Sequence, residues 1–478
     1  MRSPHLRRAV GAALAVLATL AACIATQRDT LASSPPPLSY AELTGTYFVA
    51  VPDQPFQAPA VKRITVPDIE DANGMWGATG RDARGHIWVG VSAKTPGMSA
   101  HLFEYSPAAD SWQDHGAVVD RLKAAGLLRP GEGQVKIHSK IVPGADGWLY
   151  FASMDEDGEK EDGSALPRWG GHLWRIHPER GTWEHLLAAP QGLVAVSGVG
   201  RYIYALGYWG HVLYQYDTAT GKVNSVAVGS VGGHISRNFL ADARGHAFVP
   251  RLTAADAGLQ AGAPPSTAEK ATPPGEINSD SPAARAARAA QRAPKPPGEP
   301  SATLVEYDTQ LREIAATPLD HYLEPSRSAA ANHGIVGLAY LPSGDMVFTT
   351  HAGYLYRITP AGDGPATVRG VDWMNPAGAA YVPSLFSLGG DTWLAGVAYQ
   401  KGPQPFAWVV RDLATGVAAA FPLDTQPLQD VLLYGSISRD NAGRAYVVGW
   451  AANSKGNPRP LMLQLDPLHS SPPDTGKQ

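Results

Sequence analysis

The residues best suited to chemistry lie between His234 and Arg251, where two short apolar, β-prone runs flank the turn Asp242-Ala-Arg-Gly245. An antiparallel pair returns to the edge it left, so His234 and Arg251 are expected to emerge together at one end of a sheet. A histidine can move a proton near neutral pH, and an arginine can neutralise a carboxylate. That combination suits removal of a proton beside a carboxylate, and the end of the sheet that carries it is the expected working face.

The elements that would position these residues recur every 45 to 60 residues or so: an apolar strand, a turn with Gly or Asp, a strand with Trp or Tyr, and two more strands. Four-stranded repeats of that length are the signature of propeller blades. Blade one runs from Met75 to Asp114, blade two from His138 to His185 and blade three from Leu193 to Val228. The His234 hairpin opens blade four, which Thr303–Tyr307 and Arg312–Ala315 finish. Blade five spans Gly334 to Arg369, blade six follows from Tyr381, and blade seven (Leu433 to Leu465) is one strand short. Val61–Val66 alternates like a strand and belongs to no blade, so it is expected to supply the missing outer strand and close the ring. The predicted fold is therefore all-β, a seven-bladed β-propeller closed by an N-terminal strand.

Before the ring comes an address. Arg2, Arg7 and Arg8 precede an apolar run from Ala9 to Leu20, too short to span a bilayer comfortably, and Leu20-Ala-Ala-Cys23 offers a small-residue processing site. This tetrapeptide resembles the bacterial lipobox, and Cys23 is the only cysteine, so no internal disulfide can form. The expected organisation is a signal peptide over 1–23 with lipidation at Cys23, a tether over 24–45, one propeller over 46–470 and a tail over 471–478. Thr253 to Pro300, rich in Ala, Pro and charge, is expected to be a disordered insertion in the propeller. The resulting location is the bacterial cell envelope, as an outer-membrane lipoprotein or in the periplasm. Charged residues make up 17% of the chain and the net charge is −4, which leaves no broad basic field for nucleic acid. The chain is expected to be a monomer.

In a four-stranded blade the inner strand starts on the face where the second strand ends. Applied to every blade, this rule collects His138, His234, Arg237, His333, Tyr381 and Tyr434 at inner-strand starts, and His172, Tyr208, His211, Arg251, His351 and Tyr399 at the second connections. Of 15 histidines, six fall on this face, whereas His86 and His246 occupy matching Arg-Gly-His turns at the opposite end. A histidine beside glycine at a blade turn often only bonds a carbonyl, so the convergence matters more than any one member.

Three readings compete. In a lyase acting on a uronate-containing saccharide, Arg251 or Arg237 would neutralise the carboxylate, with His138, His234 and Tyr208 as proton carriers. In this reading Arg237, His172, His211, His333, His351, Tyr381 and Tyr399 would contact substrate, and no cofactor is required. A divalent metal held by His138, His234 and His333 is the second reading, without a compact ligand motif to support it. The third is a non-catalytic ligand-binding or scaffold propeller, since the fold hosts all of these.

The seven-blade pattern, His138 in Lys-Ile-His-Ser, the His234 to Arg251 hairpin and the Tyr208-Trp-Gly-His211 turn resemble secreted β-propeller polysaccharide lyases such as ulvan and rhamnose-glucuronate lyases. The resemblance covers Val61 to Pro467 in architecture and only these motifs in detail. It implies β-elimination on an anionic polysaccharide by His, Tyr and Arg on one face. Where that family would have a Tyr and an Arg flanking one hairpin, His234 stands in the Tyr-like place. Glycoside hydrolysis, or a lactonase or streptogramin-lyase-like activity, remains open on the same scaffold.

Overall fold

A computed structural model of the protein describes residues 38–45, 55–160, 165–208, 211–231, 234–253, 301–322, 334–399, 405–423 and 429–469. Cys23, His333 and the insertion from residue 254 onward lie outside them. Among the described residues no helix is long and apolar enough to cross a membrane.

The strands form seven antiparallel sheets. From the inner strand outward, blade 1 contains Thr79–Arg81, Ile87–Ala93, His101–Ser106 and Ser111–Ala117, with Ala72–Gly74 beside the second strand. Blade 2 contains Val142–Pro143, Leu149–Met154, Gly171–Ile176 and Trp183–Ala189, and blade 3 Leu193–Gly198, Tyr202–Gly207, Val212–Asp217 and Val223–Ala227. Blade 4 is Leu240–Ala241, Ala247–Thr253, Ser301–Tyr307 and Glu313–Pro318; blade 5 is Ile335–Tyr340, Met346–Thr350, Tyr354–Ala361 and Gly364–Trp373. Blade 6 consists of Ser384–Gly389, Trp393–Tyr399, Phe406–Asp412 and Ala418–Pro422. In blade 7, Gln429–Arg439, Ala445–Ala452 and Pro458–Asp466 are joined by Ala60–Ile64, which pairs antiparallel with the last of these from Ala60 opposite Asp466 to Ile64 opposite Met462.

The core is a ring rather than a ball. Middle strands such as Val212–Asp217 are buried on both faces, because each blade is covered by a neighbour on either side, while outer strands such as Val223–Ala227 are half-buried. Continuous apolar runs in the sequence are the direct result. The buried apolar residues divide into seven clusters, one at each interface between adjacent blades. One of these joins Tyr446, Val448 and Met462 of blade 7 to Met75, Ile87 and Val89 of blade 1, so packing closes the circle as well as hydrogen bonding.

Close approach of the inner strands has a local requirement. A Cβ on Gly80 would lie 2.1 Å from the Ile141 carbonyl oxygen, so blades 1 and 2 can touch there only through glycine.

Asp82 and Asp242 organise the turns at the opposite end from the expected working face. Each accepts backbone N–H bonds through Oδ1, from Arg84 and His86 or from Arg244 and His246, at 2.9–3.0 Å. Arg84 and His86 also reach Glu104, as Arg244 and His246 reach Glu306. Asp82, His86 and Glu104 are close enough to hold a metal ion, but the Arg84 guanidinium already bonds both carboxylates. These matched clamps fix the turns.

The last part of the expected tether is built into this unit. Tyr40–Thr44 is a helical turn whose N-cap, Ser39, forms a capping box with Glu42, and the Tyr40 hydroxyl donates to Leu341 O at 3.1 Å.

Candidate functional site

Each inner strand enters the central channel from the same face, so the residues just before it line the upper mouth. Trp76 precedes Thr79–Arg81, His138 precedes Val142, Arg237 precedes Leu240 and Tyr381 precedes Ser384, while Tyr434 lies within the inner strand of blade 7. Together with Gly77, Asn238 and Val336 these side chains line one small pocket, with a volume of about 20 Å³. That is room for a water-sized group. A single protruding group, such as a carboxylate, fits this recess while the rest of a larger ligand lies across the face.

Arg237 dominates the electrostatics. Among the described residues its guanidinium meets no carboxylate within ion-pair distance, and its one hydrogen bond is from Nη1 to the Tyr381 hydroxyl at 3.4 Å. Burial works against its charge, but Tyr381, Tyr434 and Glu156 outweigh this and raise its pKa. The cation is therefore retained, and among the described residues the Tyr381 hydroxyl is its one hydrogen-bond partner.

His138 is held in a defined tautomer. Its Nδ1 lies 3.0 Å from Val194 O and must donate to that carbonyl, which leaves Nε2 as an unprotonated acceptor. Burial, followed by the charges of Arg237 and Lys136, pushes its pKa down to about 3. The imidazole is neutral at physiological pH.

Phenols complete the mouth. The Tyr381 ring packs 4.7 Å from His351 and 5.4 Å from Tyr399. Tyr399 is fixed by the Leu433 backbone, donating to its carbonyl and accepting from its N–H, both at 2.9 Å. Burial raises the Tyr434 hydroxyl to about 12, with Arg237 opposing, so it remains a proton donor. Trp76 packs against Tyr434 with ring centroids 4.9 Å apart and planes tilted by 48°, and carries Lys136 over its ring at 4.5 Å, and Lys136 bonds Glu156 at 2.5 Å.

Other expected residues are committed elsewhere. Arg251 forms a two-pronged pair with Glu313 at 2.8 and 3.0 Å. His234 is completely buried: Ser230 Oγ accepts from Leu252 N–H and stands 2.6 Å from Nδ1, while Nε2 faces the Tyr322 hydroxyl at 2.9 Å. The structure thus gives His234 and Arg251 separate internal partners, and neither lines the pocket. His211, with φ of 57°, donates from Nδ1 to Pro250 O and accepts at Nε2 from Ser236 N–H, both at 3.0 Å. Its ring is a structural bridge. Burial lowers its pKa to about 4. His172 joins His185 at 2.9 Å and Glu132 at 3.1 Å inside blade 2, where Arg129 also grips Glu132. Tyr208 is buried and donates to Glu159 at 2.6 Å.

The proposed metal set is likewise not assembled by the described residues: both ring nitrogens of His234 face hydroxyl groups, and His333 lies outside them. The sequence reading passed over Trp76, Lys136 and Asn238 as site residues. Trp76 stands at the inner-strand start of blade 1, the same topological place as His138 and Arg237, and Lys136 is two residues before His138. Both signals were available.

No protein-family model matches the chain, and no curated protein does. Among solved structures it is similar to YCF48 bound to D1 peptide, at 10% identity over 90% of this chain and 100% of that one, with a TM-score of 0.44. The periplasmic gluconolactonase PpgL of Pseudomonas aeruginosa matches at 12% identity over 83% and 96%, TM-score 0.43. The β-propeller domain of the Trilobed protease from Pyrococcus furiosus matches at 8% over 86% and 100%, TM-score 0.40. At such identities these are likenesses of fold. The chain is a seven-bladed β-propeller.

Proposed function

We propose that the upper mouth is the active site of an exported lyase that cleaves a uronate-containing poly- or oligosaccharide by β-elimination. The observation that carries this reading is the Arg237 guanidinium, which meets no carboxylate within ion-pair distance among the described residues, in the same small pocket as a neutral imidazole whose Nε2 is unprotonated. The uronate carboxylate would enter the recess against Arg237, which neutralises the charge that grows as the adjacent carbon loses its proton. His138 Nε2 takes that proton, the carbon–oxygen bond to the leaving sugar breaks, and the electron pair closes the new double bond. Tyr381 or Tyr434 returns a proton to the departing oxygen.

Burial depresses the His138 imidazole most, and the charges of Arg237 and Lys136 come second. A carboxylate bound at Arg237 offsets that second cause, so substrate binding raises the proton affinity of the base. Glycoside hydrolysis is less well supported, because it ordinarily needs two carboxyl groups flanking the bond and none of the described residues lining the pocket is acidic. Export and lipidation at Cys23 belong to the same proposal and rest on the N-terminal sequence alone.

A screen of anionic polysaccharides and oligosaccharides tests the reaction class. Growth of the near-ultraviolet absorbance of an unsaturated uronate is expected. Release of sugar without that absorbance would replace the lyase by a hydrolase, and binding with neither would make the propeller a non-catalytic receptor. Intact-mass measurement on the membrane fraction should show an acylated N-terminus at Cys23.

A further inference from the structure

The channel has a second cavity at its lower mouth, of about 130 Å³, where the inner strands end. Much of its wall is apolar, from residues such as Ile141, Leu338, Leu385 and Phe386. Lys140, which leads into the inner strand of blade 2, lines it as well. The other titratable side chains of the wall have partners of their own. Glu42 accepts from Ser39 N–H at 2.8 Å and Ser39 Oγ at 2.7 Å, and Tyr340 donates to Ala241 O at 2.9 Å. Arg81 donates to Arg439 O at 3.0 Å and to Asn441 Oδ1 at 2.7 Å, while Arg439 donates to Ser387 O at 2.6 Å and to Gly443 O at 3.0 Å.

Lys140 is different: among the described residues its Nζ has no hydrogen bond or ion pair. The protein around it removes water without supplying an anion, and this burial alone brings the amine down to about 7. Roughly half of it is then the free base at neutral pH, against less than about one part in a thousand for an ordinary lysine. Part of the residue's surface stays exposed, so a small molecule in the cavity can reach it. An amine that is desolvated, unprotonated and reachable has the properties of a nucleophile.

We propose that Lys140 is a nucleophile and that the lower cavity is a covalent site for small uncharged aldehydes. The Nζ lone pair attacks the carbonyl carbon, a proton passes from nitrogen to the former carbonyl oxygen through solvent water, and loss of water closes a carbon–nitrogen double bond. Amine and aldehyde thus give imine and water, with no oxidant or reductant. The apolar wall favours an uncharged compound, the size of the cavity a short one, and an aldehyde is the least crowded carbonyl to attack. The site is at the opposite end of the channel from Arg237 and His138 and does not depend on the chemistry assigned to them.

Treatment of the full chain with propanal and cyanoborohydride, which reduces an imine to a stable secondary amine, tests this. Peptide mass mapping reads every lysine in the same sample, with the exposed Lys123 and Lys222 as references, and the wild-type chain suffices, so no variant has to fold. At pH 7 Lys140 should be labelled at least about tenfold faster than the references, because a gain of roughly a thousandfold in free base is only partly offset by the lower nucleophilicity of a weaker base, as for thiols. Its rate should saturate with propanal concentration, as binding in the cavity precedes the bond, whereas the references should respond linearly. Its rate should also level off above about pH 7 while theirs climb through pH 9. Labelling of Lys140 no faster than the references, a rate linear in propanal, or a pH profile parallel to theirs would each overturn the proposal.

Discussion

Replacing Arg237 and Arg251 in turn by methionine separates a functional cation from a structural one. In the free protein Arg237 has one long bond, 3.4 Å to Tyr381, and no carboxylate among the described residues, so its removal should leave the melting temperature unchanged or slightly raised. In the transition state it faces a growing negative charge, and loss of one such preorganised group costs about 2.7–4 kcal/mol, or roughly a hundredfold to a thousandfold in kcat. Arg251→Met should behave in the opposite way. It breaks two charge-assisted bonds to Glu313, and the arginine side chain is only 9% exposed. Because Glu313 is 21% exposed and can recover some water, the stability cost should fall at about 2–3 kcal/mol, below that of a fully buried pair. Initial rates followed by absorbance at saturating substrate, with melts of the same samples, read both quantities. Arg237→Lys should recover only part of the rate, since an ammonium cannot make the planar two-pronged contact. A wild-type kcat for Arg237→Met, or a thousandfold loss for a stably folded Arg251→Met, would refute this division.

Three further outcomes are expected. Tyr381→Phe should lower kcat more than it changes KM if its hydroxyl serves the leaving group, with Tyr434→Phe as the companion measurement; unchanged kcat in both would remove the phenols from the reaction. Stability should fall as the pH drops from about 6.5 toward 4, because His138 (about 3) and His211 (about 4) refuse protons in the folded state that the unfolded chain accepts. The slope is at most about 1.4 kcal/mol per pH unit for each histidine, and melts between pH 7.5 and 4.5 that rise on acidification would contradict it. Deleting the chain up to Pro59 should leave a folded ring, whereas deleting through Pro67 should expose the edge of blade 7 and cause aggregation, read by light scattering; equal behaviour of the two would deny the pairing of Ala60–Ile64 with Pro458–Asp466 a closing role.

Blade number and strand order were legible because each middle strand is covered on both sides and so appears as a run of aromatic and β-branched residues, as in Tyr202–Gly207. The position of the mouth followed from topology, which brings His138, Arg237, Tyr381 and Tyr434 to one pocket from four different blades. What could not be read was whether a polar side chain is already satisfied from within. Arg251 finds Glu313 on the fourth strand of its own blade, and His234 finds Tyr322 in the segment after that strand, so neither partner is adjacent in sequence. By contrast, the Ser39-x-x-Glu42 capping box was a local signal, hidden by the Pro- and Ser-rich stretch before it.

The proton that His138 is assigned to remove offers the most direct test. A substrate identified by the screen, carrying deuterium at the carbon beside the carboxylate, should lose its label to solvent in step with the rise of the unsaturated product. His138→Ala, with an unchanged fold, should suppress label loss and absorbance together. Product that retains the deuterium would show that no proton is removed at that carbon, and label loss at the wild-type rate in His138→Ala would show that another group removes it.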